Sequence, residues 1–130
     1  MKILLDTNAL LWTLYSHRIP EAVQELIKNP NNELYISICS IWEIEIKHLK
    51  KPALMPISGK DIYEAIAGTN VEIIDVNYSY VEELEKVASE GIHYDPFDQM
   101  IIATAIKENM TILTGDLQIN KYQSVNTILC

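Results

Sequence analysis

The sequence predicts an α/β fold in one domain, a central parallel sheet of about five strands with helices on both faces. Three observations lead there. Short apolar runs alternate with longer segments of helical period along the chain. No Pro-, Gly- or Ser-rich linker and no internal repeat divides it. At 130 residues, with 48% hydrophobic and 22% charged side chains, the chain has the length of one domain, expected over residues 1–130.

Lys2 to Leu5 reads as a buried strand and Asn8 to Tyr15 as a helix. A second helix spans Glu21 to Lys28, with Pro20 at its start. Asn29-Pro30-Asn31-Asn32 is turn chemistry, and Leu34 to Ser37 is the next strand. Ile41 to Lys50 is helical, with Trp42, Ile46 and Leu49 sharing an apolar face, and Ser40-Ile41-Trp42-Glu43 reads as a capping box. After a loop over Pro52 to Pro56 come a short helix, Lys60 to Ala67, and a third strand, Val71 to Ile74. Tyr80 to Ala88 is a helix entered through a second capping box, Ser79-Tyr80-Val81-Glu82. Gly91 to Tyr94 is a loop and Pro96 to Lys107 a strongly apolar helix. Thr111 to Leu113 and Asn126 to Leu129 complete the sheet.

Open parallel sheets bind ligands outside the carboxyl ends of their strands. Four acids fall there although they are distant in the chain. Asp6 follows the first strand and Asp116 the fourth. Glu43 lies in the first turn of the helix after the second strand, and Asp98 in the first turn of the helix that feeds the fourth. Each has a structural reading. Glu43 completes a capping box or pairs with Lys47, four residues on. Asp95-Pro96-Phe97-Asp98 reads as an N-cap, a first-turn proline and an acid favoured by the helix dipole. Asp116 suits a turn after Gly115. Asp6 resists such a reading, because a lone carboxylate ending an apolar strand is costly to desolvate. Together, four carboxylates in one cleft repel one another and raise each other's pKa, and a divalent cation removes that penalty. Hard oxygen donors suit Mg²⁺ or Mn²⁺, and the chemistry such an ion supports is phosphodiester hydrolysis.

The residues that carry this reading resemble a known family. Asp6-Thr7-Asn8-Ala9-Leu10-Leu11-Trp12, Ser40-Ile41-Trp42-Glu43-Ile44, the run from Asp95-Pro96-Phe97-Asp98 to Ala103, and Thr114-Gly115-Asp116 resemble the PIN-domain ribonucleases, in particular the VapC-type toxins of toxin–antitoxin pairs. The resemblance runs over nearly the whole chain, and the Asp-Pro-Phe-Asp segment is its most specific part. It implies a PIN-like fold and places the family's acidic quartet on Asp6, Glu43, Asp98 and Asp116. Those residues are then expected to hold Mg²⁺ or Mn²⁺ and to cut single-stranded RNA, often tRNA. Thr7, Asn8 and Thr114 flank the quartet as hydrogen-bonding supports. Gln99 departs from the pattern, since close relatives often carry Arg there, which removes a phosphate contact. The resemblance further implies a cognate antitoxin as partner and a homodimer, with Leu11, Leu14 and Tyr15 as candidate dimer-face residues.

Charge and composition bound these readings. A net charge of −8 excludes broad, sequence-blind binding of nucleic acid by charge alone. The one basic stretch is Lys47, His48, Lys50 and Lys51, read either as a solvated helix end or as a phosphate-contacting rim. Trp12 and Trp42 sit at core spacing, which favours packing over base stacking. The longest mostly apolar stretch without charge, Thr7 to Ser16, is far short of the ~20 residues a membrane span needs. No secretory leader is expected, and two cysteines, Cys39 and Cys130, suit a reducing cytoplasm. His17, His48 and His93 show no zinc spacing. The main rival is a PIN-like module without catalysis, kept for protein binding. A receiver-type switch at Asp75 lacks the acidic pair near the first strand, and a flap-type DNA nuclease needs a longer chain.

Overall fold

In the computed structural model, which describes residues 1–15, 19–92 and 95–130, the chain forms a five-stranded parallel sheet in the order β3-β2-β1-β4-β5. The strands are β1 (Lys2–Leu5), β2 (Glu33–Ser37), β3 (Glu72–Ile74), β4 (Thr111–Thr114) and β5 (Thr127–Leu129). Connecting them are α1 (Thr7–Tyr15), α2 (Glu21–Lys28), α3 (Ile38–Lys50), α4 (Gly59–Ala67), α5 (Tyr78–Ser89), α6 (Pro96–Glu108) and α7 (Leu117–Asn120). His17, His93 and the end of the expected Gly91–Tyr94 loop lie outside the described residues.

Alternation along the central strands builds a core on each face. Ile3 and Leu5 of β1 and Leu113 of β4 pack with Leu10, Ile44 and Ile62 from α1, α3 and α4. Leu4 and Ile112 face the other way, into Tyr80, Val87, Ile101 and Ile102 of α5 and α6. Both faces of β1 and β4 are therefore sealed, as a parallel sheet requires.

The expected elements occur, with two corrections at helix entries and one added helix. α3 begins directly after β2, and its N-cap is Ser37, whose hydroxyl accepts from the Cys39 N–H at 3.1 Å. Ser40 is thus inside the helix and fully buried, and Glu43 sits in the second turn rather than the first. α5 is capped by Asn77, whose Oδ1 accepts from the Tyr80 N–H at 3.2 Å, not by Ser79. In both cases an earlier residue of capping type wins, because it lies where the extended chain ends. α7 was not expected at all. With four residues it is too short to display a helical period.

The apolar face assigned to Trp42, Ile46 and Leu49 is also corrected. α3 buries Ile41 and Ile44, while Trp42 and Leu49 point outward. Among the described residues no helix is long and apolar enough to cross a membrane.

Candidate active site

The chain runs outward from β1 to β2 and β3, then returns to lay β4 and β5 on the other side of β1. The sheet therefore changes direction between β1 and β4, and the crevice beyond their carboxyl ends is the ligand position of an open α/β sheet.

Asp6 occupies that crevice. It is the residue after β1, it is only 3% exposed, and its backbone N–H continues the ladder to the Leu113 carbonyl at 3.1 Å. Its Oδ1 accepts from the Ala9 N–H at 2.7 Å in the first turn of α1, and its Oδ2 accepts from the Thr114 hydroxyl. Thr114 Oγ1 in turn accepts from the Asp116 N–H at 2.9 Å. One hydroxyl at the end of β4 thus ties the two aspartates together. Asp116 is the N-cap of α7, with Oδ1 receiving the Gln118 N–H at 2.7 Å.

Glu43 reaches the same crevice from α3. The Thr7 hydroxyl donates to its Oε1 at 2.7 Å and lies 3.0 Å from the buried Ser40 hydroxyl. Lys47 pairs with Oε2 at 2.8 Å, so the i, i+4 pairing suggested by the sequence does form. Asp98 lies in the first turn of α6, whose N-cap is Asp95. Asp95 Oδ1 accepts from the Phe97 N–H at 2.9 Å and the Asp98 N–H at 3.1 Å, which gives Asp95 the capping job read from the sequence.

Electrostatics link these groups. Burial pushes the Asp6 pKa up, and the charges of Asp116 and Glu43 push it the same way, against the hydrogen bonds from Thr114 and Ala9. Beneath α6, burial drives the Cys39 thiol up to about 11, with Glu43, Asp98 and Asp95 adding to the effect. Of the four acids of the sequence reading, Asp6 and Asp116 are thus joined through the Thr114 hydroxyl and Glu43 is held beside them by Thr7, while Asp98 stands at the entry of α6. Sequence reasoning missed Ser40 as a neighbour of Thr7, because only the true helix start turns it inward. It also missed the cover over the β4 loop. The Trp12 ring lies against Gly115, where any Cβ would fall within 2.5 Å of its Cζ3.

Among the described residues no three His, Cys, Asp or Glu side chains stand close enough to form a ready-made cage for an ion. The donors nevertheless fit a hard divalent cation. Mg²⁺ usually takes only one or two carboxylates directly and completes its shell with water and phosphate oxygens. The decisive feature is Asp6, a desolvated carboxylate faced by further negative charge. That arrangement disfavours the charged carboxylate, and a bound cation would offset the penalty.

Comparison with known proteins agrees with this architecture. The family model of the PIN domain matches residues 3–124. VapBC2 from Rickettsia felis, in complex with a promoter DNA fragment, superimposes with a TM-score of 0.70 at 22% identity, covering 99% of this chain and 98% of that one. DNA-bound VapBC from Salmonella typhimurium gives 0.70 at 20% identity, over 98% and 97%. VapBC-1 from nontypeable Haemophilus influenzae gives 0.70 at 18% identity, over 99% and 98%. No curated protein matches the sequence significantly.

Proposed function

The chain belongs to the PIN domain family, and from that premise we propose that it is an endoribonuclease dependent on Mg²⁺ or Mn²⁺, the toxin of a type II toxin–antitoxin pair. The observation that carries the proposal is the buried, electrostatically unfavourable Asp6 carboxylate at the switch point of the sheet. A scaffold has no use for such a group, whereas a phosphodiester hydrolase does.

In this reading Asp6, Asp98 and Asp116 hold the metal, and Glu43 either joins them or orients the attacking water. When bound, the cation offsets the negative charge of the carboxylates and the phosphate and makes water a better nucleophile. The remaining work belongs to the chain. Thr114 fixes Asp6 relative to Asp116 through its single hydroxyl. Thr7 holds one Glu43 oxygen while Lys47 holds the other, so the carboxylate keeps one orientation. The N–H of Ala9 keeps the Asp6 charge tolerable in the crevice.

A toxin–antitoxin complex from Klebsiella pneumoniae is also among the structural neighbours, which supports a protein antitoxin as partner of this chain. A surface of net charge −8 would speed association with a basic antitoxin tail. A homodimer through Leu11, Leu14 and Tyr15 of α1 belongs to the same proposal, as does an RNA substrate such as tRNA. The Lys47–Glu43 pair favours a second reading, a PIN-like module that binds protein without catalysis. One assay separates the two. RNA cleavage is measured with Mg²⁺ or Mn²⁺, with chelator, and in Asp6→Asn. The nuclease reading expects chelation or the substitution to lower the rate about 10²-fold or more. Equal rates in all three conditions would remove it.

A further inference from the structure

Beside the acids lies a second feature that their chemistry does not use. A cavity of about 510 Å³ opens between the start of α3, the segment after β3, α5 and the start of α6, lined among others by Cys39, Trp42, Val76, Leu84, Phe97 and Met100. Its volume is within the ~300–1,000 Å³ of small-ligand pockets. Its walls are apolar, yet Trp42 is 62% exposed. The Trp42 and Phe97 rings meet edge to face, with centroids 5.2 Å apart and planes at 75°. An open tryptophan held in a fixed pose by a second ring is a stacking platform without its partner.

Three observations identify that partner. Trp42 immediately precedes Glu43 and Phe97 immediately precedes Asp98, so both rings flank proposed catalytic acids. The cavity floor, Cys39, is tied to the start of α6, its Sγ 3.9 Å from the Phe97 carbonyl oxygen, so the cavity abuts the turn that carries Asp98. Beyond Glu43, the exposed Lys47, Lys50 and Lys51 line a further hollow of about 240 Å³ toward the end of α3. In a chain of net charge −8, this short run is where a phosphate backbone is attracted rather than repelled. A ring, an acid and lysines thus follow one another along α3 and its C-terminal end, and α6 adds Phe97 and Asp98 beside them.

We infer that the Trp42–Phe97 cavity receives an unpaired base next to the scissile phosphodiester of a single-stranded RNA, while neighbouring phosphates run along Lys50 and Lys51. The inference rests on the nuclease reading and adds to it a subsite for one base, with Trp42 and Phe97 as the residues that hold it. Bases in a duplex are already stacked and cannot enter, so the pocket selects single strands, loops and bulges. Stacking is tolerant of sequence, because every base offers a π-face.

The test reads binding rather than cleavage, so that failure of one proposal is distinguishable from failure of the other. Binding of a short, unstructured, labelled RNA is followed by anisotropy at low salt with Ca²⁺ in place of Mg²⁺. Trp42→Ala is expected to weaken it roughly tenfold or more, and Trp42→Phe to retain most of the affinity. Quenching of tryptophan emission on RNA binding should disappear in Trp42→Phe. A duplex of equal length should bind more weakly, and Lys50→Ala with Lys51→Ala should flatten the salt dependence. Trp42→Ala with unchanged affinity and an intact circular dichroism spectrum would overturn the inference and leave the cavity to an apolar segment of a protein partner. Intact binding without cleavage in Mg²⁺ would count against the nuclease reading alone.

Discussion

The pKa of Asp6 is raised above its ordinary value of 3.8, chiefly by burial, and this has a thermodynamic consequence. The folded chain keeps the Asp6 proton to higher pH than the unfolded chain does. Stability contributed at this site therefore falls as pH rises from the ordinary carboxylate value through the folded one, and stays low above it. Asp6→Asn removes the charge and keeps an acceptor for the Ala9 N–H. In chelator, the variant should unfold at a higher temperature than the parent near neutral pH, and the gap should close as pH falls through the carboxylate range. Calorimetry across pH checks this, and a variant that is less stable at neutral pH contradicts it. Thr7 offers a second residue-scale test, since it fixes Glu43 without being an acid itself. Thr7→Val should lower cleavage about 10–100-fold, and Thr7→Ser should restore it because the hydroxyl returns. Asp6 was legible in the sequence because a carboxylate ending an apolar strand has few structural uses. Trp42 was not, because helical spacing reveals which residues share a face but not whether another element covers that face.

Helix entries explain much of what the sequence left ambiguous. Several residues of capping type stand in line before α3 and α5, and local pattern alone favours the one followed three residues later by Glu. The strand ladder decides otherwise. β2 extends to Ser37, so α3 starts there, and this three-residue advance turns Ser40 inward toward Thr7 and moves Glu43 one turn deeper. At α6 no competitor exists, because Pro96 pins the first helical position and Asp95 is left as the cap. If capping is the role of Asp95, Asp95→Ala should destabilise the fold by about 1 kcal/mol, while Asp95→Ser should cost only a few tenths and retain cleavage. Denaturant titration of both variants, beside the RNA assay, checks it. α7 escaped notice for lack of length, although its cap, Asp116, was singled out for another reason. Gly115 between β4 and α7 carries the Trp12 ring in place of a side chain. Gly115→Ala should displace that ring and lower cleavage by loosening Asp116, detectable as a change in tryptophan emission without loss of fold.

At the scale of the whole molecule, the order of strands matters more than any one of them. Alternation of apolar runs and helical segments made the parallel sheet and its two helical layers readable in advance. The order β3-β2-β1-β4-β5 was not readable, since it depends on which strands pair, yet it is what puts Asp6 and Asp116 at adjacent strand ends. Asp6 and Asp116 each follow one of these strands, and Glu43 reaches the Asp6 neighbourhood through the Thr7 hydroxyl, while Asp98 stands in the first turn of α6. The arrangement is electrostatically unfavourable by itself, so a divalent ion should stabilise the whole fold. At a concentration of 100 Kd the gain is about 2.7 kcal/mol. For a chain of this size that is roughly 5–15 °C in melting temperature, and it should shrink greatly in Asp6→Asn. The claim beneath all of this is that carboxylates gathered by topology share a cation, and crystals soaked in Mn²⁺ test it most directly. The account predicts an anomalous peak within ligand distance of Asp6 and at least one of Asp98, Asp116 and Glu43. A well-ordered soaked crystal with no peak there, or with manganese bound only elsewhere on the surface, would contradict it.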